Sequence, residues 1–158
     1  MSPKVISEAH CLVKPNEMPY SVVEMNRFYG CDPALIATGS PIKRLTDWLV
    51  RRDVMSEMAK VTRDAGFTLM DKRLIRFGIG EGVTVAQLLA ESLSDMHTYP
   101  EVRGCAHVWI DYCCFERDNS DLGERWWRGM TTLLKPTHVI EYPTIYVPVH
   151  PPDGLMRS

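Results

Sequence analysis

The stretch FTLMDKRLIRFGIGEGVTVAQLLA, residues 67–90, decides how this chain folds. Two segments, Phe67 to Phe77 and Val83 to Ala90, have the aliphatic and β-branched density of strands. Between them Gly78-Ile79-Gly80-Glu81-Gly82 has the chemistry of a turn or flexible loop, so a hairpin is the simplest connection. On the N-terminal side Ala65-Gly66 stops a helical pattern. Ser40 before Pro41 suits an N-cap and first-turn pair, and Ile42, Leu45, Leu49, Val54, Met58 and Val61 recur at helical spacing. A charged Arg51-Arg52-Asp53 stretch interrupts that run, predicting one long helix or two with a break. Ser21 to Tyr29 reads as a strand closed by Gly30-Cys31-Asp32-Pro33, and residues 1–20, with Pro3, Pro15 and Pro19, as an irregular arm. On the C-terminal side Ala106 to Cys113 is a strand, and Leu122 to Leu134 is a helix with Trp127, Met130, Leu133 and Leu134 on one stripe. His138 to Tyr142 is a last strand, and the Pro-rich Tyr146 to Asp153 reads as an exposed tail. The order predicts an α+β, two-layer sandwich with helices packed on one face of a mainly antiparallel sheet.

At 158 residues with 45% hydrophobic composition, the chain suits a single domain spanning 1–158 and is too short for two ordinary ones. Eighteen basic against 20 acidic residues give a net charge of -2, so no broad positive field exists to hold a phosphate backbone, and nucleic acid is not an expected partner. The first twenty residues contain no run suited to a signal peptide, and no uncharged stretch approaches the length that crosses a bilayer, which predicts a cytoplasmic protein without a membrane partner. Five cysteines, with Cys113 and Cys114 adjacent, match neither a disulfide scaffold nor paired zinc knuckles and read as reduced thiols. His97, Cys105 and His107 lack tight ligand spacing, so no metal is expected.

The chemistry concentrates in ESLSDMHTYPE, residues 91–101, directly after the apolar strand. Glu91-Ser92, a His five residues beyond the Ser, and Thr98-Tyr99-Pro100-Glu101 resemble the central motif of the bacterial-type S-adenosylmethionine decarboxylases. Phe28-Tyr29-Gly30-Cys31-Asp32, Ala65-Gly66, Arg76-Phe77, Gly82-Val83-Thr84 and a strand delivering Cys113 follow the family's order, so the resemblance spans roughly residues 21 to 142. It implies self-cleavage at Glu91-Ser92 into chains 1–91 and 92–158, with Ser92 converted into a pyruvoyl group as the cofactor. It also implies that Thr84 stands where the family has a Ser that assists processing, and that Phe77 and Glu101 contact the adenine and ribose of the substrate. Both suit that task, since a π face stacks on a base and a carboxylate accepts hydrogen bonds from two hydroxyls. Related enzymes pair their sheets, so a homo-oligomer of processed protomers is expected. The chain departs from the pattern at Leu93 and Ile75, where the family commonly has His, and at Tyr99, where it has Trp. It also lacks the loop Pro between Phe77 and Gly82, gains one residue near Arg103, and carries an insertion around Gly39 to Asp53.

The residue types suit this chemistry on their own terms. A Ser at a tight turn can attack the preceding Glu91 carbonyl to give an ester if the backbone there is strained, and His97 can then accept the Cα proton near neutral pH, eliminating Glu91 and leaving dehydroalanine, which hydrolyses to a pyruvoyl group. The pyruvoyl ketone then condenses with a substrate amine and acts as an electron sink when CO2 departs. A thiol can protonate the product carbon. Cys113 is the candidate by the family's spacing, with Cys114 the alternative given the extra residue near Arg103. Tryptophans Trp126 and Trp127 read as core or subunit contacts. The leading expectation is decarboxylation of S-adenosylmethionine to the aminopropyl donor of spermidine synthesis. Pyruvoyl-dependent decarboxylation of a basic amino acid such as ornithine or arginine is a second, and a non-processing regulatory homologue a third.

Overall fold

The computed structural model describes residues 14–16, 18–36, 53–77 and 81–149. Seven strands are described: β1 (Tyr20–Tyr29), β2 (Leu69–Arg76), β3 (Val83–Leu89), β4 (Ser92–Tyr99), β5 (Cys105–Cys114), β6 (His138–Glu141) and β7 (Ile145–Pro148). The described helices are α1 (Pro33–Ile36), α2 (Val54–Ala65) and α3 (Ser120–Leu134). The strands form one antiparallel sheet in the order β2-β3-β4-β5-β1-β6, with β7 also pairing with β1. This is the two-layer α+β arrangement anticipated from the order of elements.

Alternation along the strands separates the two faces of the sheet. Tyr20, Val22 and Phe28 of β1, Val85 of β3, Met96 of β4, and Val108, Ile110 and Tyr112 of β5 are buried in one core with Met58, Leu122, Trp126, Met130 and Leu134 of the helices. The helices thus cover one face. Among the described residues no helix covers the other, which carries Thr84, Asp95, His97, His107, Asp111 and Cys113 by the pairing register. Helix α2 starts at Val54, because the Asp53 side chain accepts from the Met55 N–H and the Ser56 hydroxyl. It stops where Gly66 takes a left-handed φ of 102°, the predicted stop. The helix predicted from Ser40 to Leu49 lies outside the described residues.

A buried polar chain ties the layers together. Trp126 Nε1–H donates to Thr62 Oγ1 (3.1 Å), Thr62 donates to Gln87 Oε1 (2.5 Å), and Ser94 donates to the same oxygen (3.1 Å), so α3, α2, β3 and β4 are keyed to one another. The helical stripe therefore centres on Trp126, which is fully buried, and not on Trp127. Trp127 is partly buried beside Phe28 and donates to Glu24 Oε2 (2.7 Å).

Two strands depart from the sequence reading. Ser92 to Tyr99 has few strand-favouring residues, yet it is a central strand because β3 and β5 both pair with it and because Ser94, Met96 and Thr98 are buried against the helices. The start of the predicted tail, Tyr146 to Pro148, lies in β7, which pairs with Tyr20–Val23, and Tyr146 packs its ring edge against Tyr20. The free edge of β1 offers unpaired N–H and C=O groups, and a strand satisfies them whatever its proline content at the ends.

Candidate active site

Residues 90–92 turn β3 into β4 and present the Glu91-Ser92 peptide at one end of the sheet. The Glu91 carbonyl accepts the Cys113 backbone N–H (3.0 Å), and the Glu91 carboxylate accepts the Thr68 N–H (3.0 Å), so both halves of Glu91 are held. Ser92 has φ 159° and is half-buried. The Ser92 backbone is therefore close to fully extended, and the turn supplies position without needing left-handed strain. Cys113 lies on the open face with Sγ 3.4 Å from Ser21 Oγ, while Cys114 is fully buried on the helix side, where burial pushes its thiol up from the ordinary range. Just before β5, Arg103 and Gly104 both take positive φ, and their carbonyls accept the Gly30 and Cys31 N–H groups.

At the opposite end of the sheet, Thr84 Oγ1 and His97 Nδ1 are 2.7 Å apart across the β3-β4 ladder. Gly82 permits that end to close, since a Cβ there would meet the Thr98 carbonyl oxygen at 1.8 Å. Thr98 Oγ1 accepts the Val83 N–H (2.8 Å) and donates to the Ile36 carbonyl (2.7 Å), which fixes the start of β3 beside α1. Phe77, exposed just past β2, bonds its N–H to the Gly82 carbonyl, and Glu101 is exposed in the turn after β4, so both lie at the His97 end.

The structure therefore gathers Glu91, Ser92 and Cys113 at one end and Phe77, Thr84, His97 and Glu101 at the other. Ser92 and His97 are five residues apart on one strand, roughly 16 Å at about 3.3 Å per residue, beyond direct contact within the chain.

Between the two ends runs a polar strip that the sequence reading did not gather. Asp95, His107 and Asp111 each bury a side-chain atom that has no hydrogen-bond partner among the described residues. Burial raises the carboxyls of Asp95 and Asp111, and a hydrogen bond from Ser92 opposes the shift at Asp111. Burial, then Arg27 and His97, lower His107. The signal available in the sequence was period-2 spacing: Leu93, Asp95 and His97 share a face once residues 92–99 are taken as a strand.

Residues 25–139 match the family described as S-adenosylmethionine decarboxylase. No curated protein sequence matches the chain. Among solved structures, the crystal structure of the adenosylmethionine decarboxylase from Aquifex aeolicus VF5 is similar with a TM-score of 0.64 at 19% identity, covering 85% of this chain and 96% of that one. At that identity the likeness speaks to the fold, while the match over most of the chain's length speaks to descent. The chain belongs to the S-adenosylmethionine decarboxylase family.

Proposed function

We propose that this chain decarboxylates S-adenosylmethionine after cutting itself between Glu91 and Ser92, and so supplies the aminopropyl donor for spermidine synthesis. The observation that carries the reading is the Cys113 N–H on the Glu91 carbonyl. That oxygen gains negative charge when the Ser92 hydroxyl attacks, and a fixed N–H at hydrogen-bond distance favours the charged state over the resting amide. Glu91 is the leaving carboxylate of the later elimination, and its side chain is already tethered to Thr68.

Removal of the Ser92 Cα proton falls to His97 with Thr84, and the separation of these groups from Ser92 along β4 points to a second copy of the chain. If two open faces pack with their strands running in opposite directions, the His97 end of one protomer meets the Ser92 end of the other. Uncovered apolar side chains on that face, Ile75, Leu88 and Tyr99, together with one buried atom each of Asp95, His107 and Asp111 that has no hydrogen-bond partner among the described residues, favour covering it. Across the same junction Phe77 and Glu101 would offer a ring for adenine and a carboxylate for the ribose hydroxyls.

The residues around Ser92 fit a pyruvoyl group: the serine begins a strand, is half-buried and lies beside the strand that carries the Cys113 thiol. When formed, that group supplies the carbonyl that takes up the substrate amine and draws electrons as CO2 leaves. Cys113 holds the proton for the product carbon, and its place on the open face at the Ser92 end supports it over Cys114, which is buried on the helix side.

The test is intact mass of the purified chain followed by decarboxylation assays with S-adenosylmethionine, ornithine and arginine side by side. Fragments 1–91 and 92–158 and CO2 release from S-adenosylmethionine are expected. A persistently intact chain would overturn self-processing, and release from ornithine or arginine alone would overturn the substrate.

A further inference from the structure

His97 has a third neighbour besides Thr84 and the strand beside it. Asp95 precedes it by two residues on the same face of β4, and Asp95 Oδ1 lies 3.1 Å from His97 Nε2, with the Asp95 side chain 14% exposed. The approach is that of an ion pair and not an in-line hydrogen bond, since Oδ1 has no such donor among the described residues. Although the His97 side chain is 40% exposed, the carboxylate is largely shielded and 3.1 Å away, so its charge biases where the ring proton sits. A lone pair on Nε2 would face the carboxylate's negative charge, whereas an N–H there is attracted to it. The Thr84 hydroxyl, 2.7 Å from Nδ1, can donate or accept and imposes no choice of its own.

The other groups facing the ring are His107, paired directly opposite on β5, and Arg27 beyond it in the same cross-strand row. Neither offers a negative charge to hold an N–H. Asp95 is itself fixed from β5, because Trp109 is its cross-strand partner and hydrogen-bonds to it.

We infer that Asp95 is a positioning residue that keeps the proton of neutral His97 on Nε2 and so turns the Nδ1 lone pair toward the Thr84 hydroxyl. The Thr84–His97 pair then has a basic nitrogen on the side of Thr84. Without Asp95 the ring is free to place its proton on Nδ1, leaving no lone pair there. The consequence for maturation rests on the self-cleavage reading above, while the position of the proton does not.

The experiment is ring ¹⁵N NMR of the full chain carrying Ser92→Ala, which stays uncleaved, with the His97 signals identified by their loss in His97→Gln. Neutral His97 should show the Nε2–H form. Asp95→Asn should bring up the Nδ1–H form, and Asp95→Glu should retain Nε2–H. Asp95→Ser, which also removes the charge, serves the same comparison if the Asn variant folds poorly. An unchanged proton position in the charge-removing variants overturns the inference. In the chain with Ser92 intact, Asp95→Asn should slow maturation on the order of 10²-fold, within the range of a misplaced general base, with partial recovery in Asp95→Glu. Maturation at the unaltered rate would overturn the positioning role. If the unsubstituted chain never cleaves, the self-cleavage reading fails and the ring spectra alone decide the role of Asp95.

Discussion

Ser92 and Cys113 are expected to separate cleanly in their effects because they serve different steps. Ser92→Ala removes the attacking oxygen, so cleavage should be absent by intact mass while the fold is retained. Cys113→Ala should leave cleavage complete and lower turnover by ~10²–10⁴-fold, the range for a positioned general acid, since the thiol is needed only when the product carbon is protonated. The backbone N–H at position 113 survives that substitution, so the contact to the Glu91 carbonyl is kept. Cys114→Ala is the contrast: its side chain is fully buried on the helix side, and its loss should cost about 1 kcal/mol of stability in urea titration with turnover near normal. If Cys114→Ala produced the rate loss and Cys113→Ala did not, the assignment of the acid would be reversed. Ser92 was legible in the sequence as a candidate through its motif, and Cys113 only alongside Cys114, given the extra residue near Arg103. Asp95 was not, because it is an ordinary carboxylate until the strand places it on the face of His97.

Among the elements, the joint between the helices and the sheet depends on Thr62 of α2, which accepts from Trp126 and donates to Gln87. Thr62→Val keeps the shape and removes the hydroxyl, leaving the indole N–H without its acceptor. A buried donor deprived of its partner costs about 1–3 kcal/mol, to be read as a lower urea midpoint. A normal midpoint would show that the chain of bonds contributes register without stability. Glu24 behaves in the opposite sense. It sits on the helix-facing side of β1, and burial raises its carboxyl above the usual range, opposed by hydrogen bonds from Trp127 and Tyr112. Because the folded value is raised, ionisation is resisted by the fold, and Glu24 weighs against stability at neutral pH. Glu24→Gln keeps an oxygen for Trp127 and should raise the urea midpoint at neutral pH, the gain fading toward about pH 4 as the native carboxyl takes up its proton. A gain that grew on acidification would contradict the assignment. Sequence periodicity identified β1, β3, β5, α2 and α3, where apolar residues recur. It passed over β4 and β7, whose pairing is supplied by neighbours.

For the whole molecule, the split of the candidate site between two ends of the sheet makes complementation the decisive measurement. A chain with Ser92→Ala and a chain with His97→Ala should each fail to mature alone. Co-expressed, the Ser92→Ala protomer lends its His97 and Thr84 to the intact Ser92 of the other, so the His97→Ala chain should be cut, giving fragments that carry that substitution. At most one of the two junctions in such a pair is intact, so about half the activity of the unaltered dimer is the ceiling, by the two-fold symmetry of a closed pair. Cleavage of the His97→Ala chain by itself at the ordinary rate would show that the junction between copies is not where its Cα proton is removed. Separation by size should show a dimer, and introducing a charge on the open face with Leu88→Asp should weaken it.

The sequence by itself determined the two-layer α+β class, the membership of the family through the spacing around Glu91-Ser92, and the residue types able to carry the chemistry. Those are properties of local order, in which hydrophobic period, turn residues and motif spacing are written along the chain. Only the tertiary structure decided that residues 92–99 form a strand, that Thr84 and His97 meet at one end while Glu91 and Cys113 meet at the other, and that Asp95 faces the ring. The physical reason is that a strand's partners lie far away in sequence. The ladder pairs Thr84 with His97 and His97 with His107 through register, and register is set by the packing of the whole sheet against its helices.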